Sequence, residues 1–110
     1  MRVRFERSGG FAGITLGSDF DSNQLPAEQT AELTRLVAEA RFFELPALIE
    51  SAKSGADLFQ YSISVEDGAQ KHRVEFAQGG APDHLRPLVQ WLSEAQRNLI
   101  ATKKRSDQNA

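Results

Sequence analysis

"FQYSISVEDGAQKHRVEF", residues 59 to 76, is the stretch whose pattern decides the fold. Asp67-Gly68 sits between two runs in which apolar and polar residues alternate, the strongest short-range signal for a β-hairpin. A two-residue turn at Asp67-Gly68 sets Phe59 opposite Phe76, Tyr61 opposite Val74 and Ile63 opposite His72. All six share one face. Gln60, Ser62, Ser64, Lys71, Arg73 and Glu75 share the other, which reads as solvated.

Upstream, "LPAEQTAELTRLVAEARFFEL" changes the period from two to 3.6. Pro26 suits the first turn of a helix, and Glu28 favours its positive end. Leu33, Leu36, Val37 and Ala40 form an i, i+3, i+4, i+7 stripe, and Phe42 and Phe43 close the helix onto a core. At about 16 residues this helix spans roughly 24 Å, close to the roughly 23 Å of a seven-residue strand. Nearer the start, "RVRFER" and "GITLGSDF" alternate again. With "GGFA" as the turn, Phe5 faces Leu16 and Val3 faces Ser18, so the apolar positions fall on one side.

Downstream, "APDHLRPLVQWLSEAQRNLIATKK" carries Leu85, Leu88, Val89, Leu92 and Leu99 on one stripe, with its regular part expected after Pro87. The order is ββαββα. It predicts an α+β fold: a four-stranded, antiparallel-rich sheet with both helices packed on one face. Residues 1–102 make a single domain, and 103–110 a disordered tail with nothing to bury.

This topology gathers connections at the two ends of the sheet. With the tip of the first hairpin called the lower end, "GGFAG", the stretch 44–57 and "QGGAPD" (78–83) all come to lie there. The Asp67-Gly68 turn and "DFDSNQ" lie at the upper end. Loops held by a rigid scaffold are where binding tends to reside.

Composition narrows the function. The chain has 110 residues, 40% hydrophobic and 25% charged, which fits one globular domain. A net charge of −2 and a single short basic cluster at 103–105 argue against nucleic acid, since the solvated sheet face offers no aromatic side chains for stacking bases. There is no cysteine, so disulfides, thiol nucleophiles and sulfur metal sites are excluded. The opening "MRVRFERSGG" does not read as a signal peptide, and no apolar run approaches a membrane span, so a cytoplasmic location is expected. His72 reads as a packed or hydrogen-bonded residue at the core edge, and His84 as part of a helix start beside Asp83. Neither belongs to a zinc spacing. Neither a catalytic constellation nor a cofactor motif emerges, and a non-enzymatic binding module is expected.

Four stretches point further: "RSGGFAGI" (7–14), "ARFFELPA" (40–47), "GADLFQYSISVEDG" (55–68) and "APDHLRPLVQWL" (81–92). Together they resemble the emfourin family over nearly the whole chain except its tail. The resemblance implies a small bacterial protein, monomeric when free, that inhibits protealysin-like metalloproteases of the thermolysin family and needs no cofactor of its own. For such a target the lower end is the expected protease-binding surface: Gly9, Gly10, Phe11, Ala12, Gly13, Ala56, Asp57, Leu58 and Asp83. Phe11 either enters the apolar specificity pocket of the protease or folds back over the lower edge of the core. Asp57 is the preferred ligand to the zinc of the target because it leads into the third strand at the same end. Asp83 is second because it is suited to capping a helix. An adaptor using the same loops on a non-protease partner is the alternative.

Overall fold

The second hairpin forms as the alternation predicts, with its register moved by two residues. The computed structural model describes residues 1–9, 15–49 and 59–108, with residues 99–108 as backbone. Strand β4 (Phe59–Asp67) pairs antiparallel with β5 (Gln70–Ala77), placing Asp67 opposite Gln70, Val65 opposite His72 and Tyr61 opposite Phe76. The turn residues are therefore Gly68 and Ala69, not Asp67 and Gly68. Backbone strain supplies the reason. Gly68 has φ +60° and Ala69 has no positive φ, so the glycine alone carries the left-handed conformation, as at the first central position of a type II′ turn. An Asp67-Gly68 turn of type I′ would force a non-glycine residue into positive φ.

The first hairpin shows the same displacement. Strand β1 (Arg2–Gly9) pairs with β2 (Leu16–Asp21) so that Phe5 faces Ser18 and Val3 faces Phe20. The expected partners, Leu16 and Ser18, lie two residues away because the connection is longer than "GGFA". Both shifts are even, so each strand keeps the same face toward the core. Val3, Phe5, Phe20, Ile63, Val65, Val74 and Phe76 are all buried. Across this face Tyr61 stacks on Phe5 at 5.8 Å and on Phe76 at 5.4 Å between ring centroids.

The sheet has five strands in the order β2-β1-β4-β5-β3 and is mixed. The additional strand, β3 (Leu48–Ile49), runs parallel to β5 opposite Glu75 and Phe76. Two residues are too few for alternation to announce them. The α+β class with two helices over one face stands, and the strand count rises from four to five.

Helix α1 (Ala27–Glu39) has 13 residues rather than about 16, with Pro26 as its N-cap. Leu33, Leu36, Val37 and Ala40 are buried as the stripe requires. The Thr30 hydroxyl donates to the Ser22 carbonyl at 3.0 Å, fixing the start of the helix beside the end of β2. Arg41, in the left-handed region at φ 50°, ends it, and the 3₁₀ turn Phe42–Glu44 follows. Phe42 then meets His72 of β5 edge to face at 5.7 Å. The helix thus crosses the strands. Its 13 residues reach about 20 Å, against roughly 14 Å for the three strand spacings from β2 to β5.

This crossing corrects the expected path of the first residues of the stretch 44–57. The chain reaches His72, whose Nε2 lies 2.6 Å from the Leu45 carbonyl, then descends beside β5, where the Glu75 N–H donates to the Ala47 carbonyl at 2.8 Å. Residues 44–47 therefore do not belong to the lower end. A carbonyl cannot donate, so His72 carries a proton on Nε2.

Helix α2 (Arg86–Gln108) begins one residue before Pro87, which occupies the first turn where its missing N–H costs least. Its backbone stays helical to Gln108, through most of the stretch 103–110 expected as a tail. Leu85, just before it, and Leu88, Leu92 and Gln96 are buried, with Val89, Trp91 and Ala95 packed at the margin. Gln96 Nε2 donates to the Leu16 carbonyl at 3.4 Å, tying α2 to β2. The opposite sheet face carries ion pairs, Arg4 with Asp19 at 2.8 Å and Arg73 with Glu75 at 3.1 Å. On that face Ser62 departs from the expected solvation, being 8% exposed.

Candidate functional site

Three strand ends define the lower edge of the sheet. Gly9, at φ +92°, closes β1 and lies opposite Phe59, the first residue of β4. Phe59 is in turn clasped by Gln78, just past β5: the Gln78 N–H donates to the Phe59 carbonyl at 2.8 Å, and the Phe59 N–H donates to Gln78 Oε1 at 3.2 Å. The half-buried Arg7 guanidinium sits over the half-buried Phe59 ring, 4.9 Å from its centroid, a cation–π contact worth at least about 0.5–1 kcal/mol. The chain leaving Gly9, the chain entering Phe59 and the chain leaving Ala77 are thus bound at one place.

Beyond Gln78 the backbone turns sharply. Gly79 takes φ +79°, with nothing within 4 Å of where a Cβ would stand, and the Gly80 N–H donates to the Ala77 carbonyl at 2.9 Å. Arg86 Nε donates to the Ala81 carbonyl at 3.2 Å, so the first turn of α2 holds the end of this connection.

Of the nine residues expected to bind a protease, Gly9 and Asp83 lie among those described. Gly10, Phe11, Ala12, Gly13, Ala56, Asp57 and Leu58 lie outside the described residues. Gly9 is half-buried in the sheet edge. The Asp83 side chain is 94% exposed and meets Arg86 Nη1 at 3.3 Å, one helical turn on. An exposed pair of this kind contributes less than about 1 kcal/mol and leaves the carboxylate open to recruitment by another cation. Arg7, Phe59 and Gln78, which bind the edge together, were not singled out from sequence. The signal for Arg7 over Phe59 is their shared face once the register is known, and no periodic signal reaches Gln78.

The electrostatics at this edge are mild. Among the described groups Arg4 is the one whose proton affinity clearly moves. Hydrogen bonds to Asp19 first and Glu6 second push it above the ordinary arginine value, and it stands on the outer sheet face as a fixed positive charge. Among the described residues no three His, Cys, Asp or Glu side chains come together to hold a metal ion. Among them, too, no helix is long and apolar enough to cross a membrane.

Comparison with curated proteins and with solved structures gives no match. The emfourin family profile matches residues 5–93. That span runs from Phe5 in β1 into α2 and takes in both hairpins, α1 and the three connections of the lower edge. The chain belongs to the emfourin family, and that membership supports a role as a protease inhibitor.

Proposed function

We propose that this chain inhibits a thermolysin-like zinc metalloprotease, of the protealysin-like kind, by laying its lower edge across the active-site cleft. A catalytic zinc of this type holds three protein ligands and a water in the fourth position. An inhibitor must displace that water and fill the neighbouring apolar pocket without offering a peptide bond for cleavage. Phe11 fills the pocket, and an aromatic side chain can bury about 150–250 Å² there. A carboxylate, Asp57 in preference to Asp83, replaces the water at about 2.0–2.2 Å from the zinc. A side chain on the metal presents no scissile carbonyl.

The observation that supports this most is the clasp at Phe59. The connection carrying Phe11 leaves from Gly9, directly opposite Phe59. The connection carrying Asp57 enters at Phe59, and the one carrying Asp83 leaves beside Gln78, which grips Phe59 on both backbone groups. Anchors fixed this way lower the ordering cost of binding. Nanomolar inhibition needs about −12 kcal/mol, which a few hot spots of about 2–4 kcal/mol within roughly 800 Å² per partner can supply.

The test is titration of a protealysin-like enzyme with the purified chain. Phe11→Ala and Asp57→Ala each weaken inhibition at least about tenfold, or about 1.4 kcal/mol, with the unfolding midpoint unchanged. If both variants match the parent in potency, the assignment of these two residues is wrong.

A further inference from the structure

We propose that the free edge of β2, with the groove beside it, is a second docking site, and that it takes an extended basic segment of a partner protein. The proposal goes beyond protease inhibition and does not depend on it. Strand β2 ends the sheet, with β1 as its strand neighbour. The Ser22 N–H donates to the Met1 carbonyl at 2.9 Å, so in this register Leu16, Ser18 and Phe20 turn their backbone groups to β1. Alternate residues of a strand point the same way, so Gly17 and Asp19 present N–H and C=O groups outward. Leu16–Asp21 contains no lysine and no proline, two common guards of an exposed edge.

Beside this edge lies a groove of about 510 Å³ between β2 and the two helices, a size typical of binding pockets. Its apolar part includes Leu25, Ala95 and the pair Phe20 and Trp91, edge to face at 5.8 Å. Asp21, Glu32 and Glu94 line it, and among the described residues no lysine or arginine does. Asp19, also in the lining, is occupied by Arg4 at 2.8 Å. Charge complementarity selects a cation, and the indole of Trp91 offers it a π-face. The edge selects the form of the occupant. A strand added to β2 gains main-chain hydrogen bonds and directs every second side chain toward one face. A free amine makes no use of the edge. The groove adjoins Asp19–Asp21, at the far end of β2 from the lower edge, so both surfaces can be occupied at once.

Trp91 is the chain's single tryptophan and reports on the groove directly. The full chain is titrated with a capped five-residue peptide alternating lysine or arginine with valine, followed by calorimetry and by Trp91 emission. We expect saturable binding with a matching change in emission, weakened by salt, and no response to the glutamate counterpart. Glu94→Lys, at an exposed helix position, lowers affinity at least tenfold without changing the unfolding midpoint. N-methylation of the peptide at alternate amides, which keeps its charge but blocks strand pairing, also weakens it at least tenfold. Absence of saturable binding to the parent overturns the proposal, as does an affinity that Glu94→Lys leaves unchanged. Equal binding of the N-methylated peptide, or of free arginine, overturns the strand-addition mode.

Discussion

His72 joins two elements through one ring. Its Nε2–H meets the Leu45 carbonyl at 2.6 Å, and its ring makes an edge-to-face contact with Phe42. The hydrogen bond holds the segment after the 3₁₀ turn against β5, where β3 then begins. His72→Phe keeps an aromatic ring beside Phe42 and removes the donor, so stability should fall by about 1 kcal/mol, the net worth of one such bond. Urea unfolding checks this. The midpoint drops while the slope, which tracks the surface exposed on unfolding, stays constant. The residue was legible in sequence as a packed or hydrogen-bonded histidine at the core edge. Its partner was not, because Leu45 lies 27 positions away across a helix whose direction the sequence leaves open.

The elements show which kinds of information a period carries. Alternation in β1, β2, β4 and β5 determines which side chains face the core: Val3, Phe5, Ile63, Val74 and Phe76 are buried as expected, while Ser62, expected on the solvated face, is buried too. Alternation does not count turn residues. Both hairpins accordingly moved by two, a shift that costs no burial. The stripe on α1 likewise names the inner face but not the angle at which the helix crosses the strands, so the descent through β3 went unseen. At the second hairpin the glycine decides the outcome, and the deciding term can be isolated. No atom lies within 4 Å of a Cβ built at Gly68, whose φ is +60°. Gly68→Ala therefore tests backbone strain alone and should cost about 1–2 kcal/mol. Gly68→Asn, whose side chain tolerates the left-handed region, should recover most of that loss in the same thermal or urea assay. Equal losses for alanine and asparagine would point to a different turn.

At the scale of the whole molecule, the covered sheet face builds the domain, and the ends of β1, β4 and β5 meet at the lower edge. The meeting of those strand ends was legible because it follows from strand order along the chain, whereas the path of residues 44–47 was not. The clasp at Phe59 was not, since it depends on register and on a glutamine outside any periodic segment. The central claim is that this edge occupies the catalytic zinc and the adjoining pocket of a protease. The most direct measurement is competition: binding of the chain to a protealysin-like enzyme, with and without a saturating small inhibitor that chelates the catalytic zinc. Mutual exclusion is predicted, with the apparent affinity of the chain falling in proportion to the small inhibitor and no ternary complex forming. Undiminished binding with the zinc site already filled would contradict it.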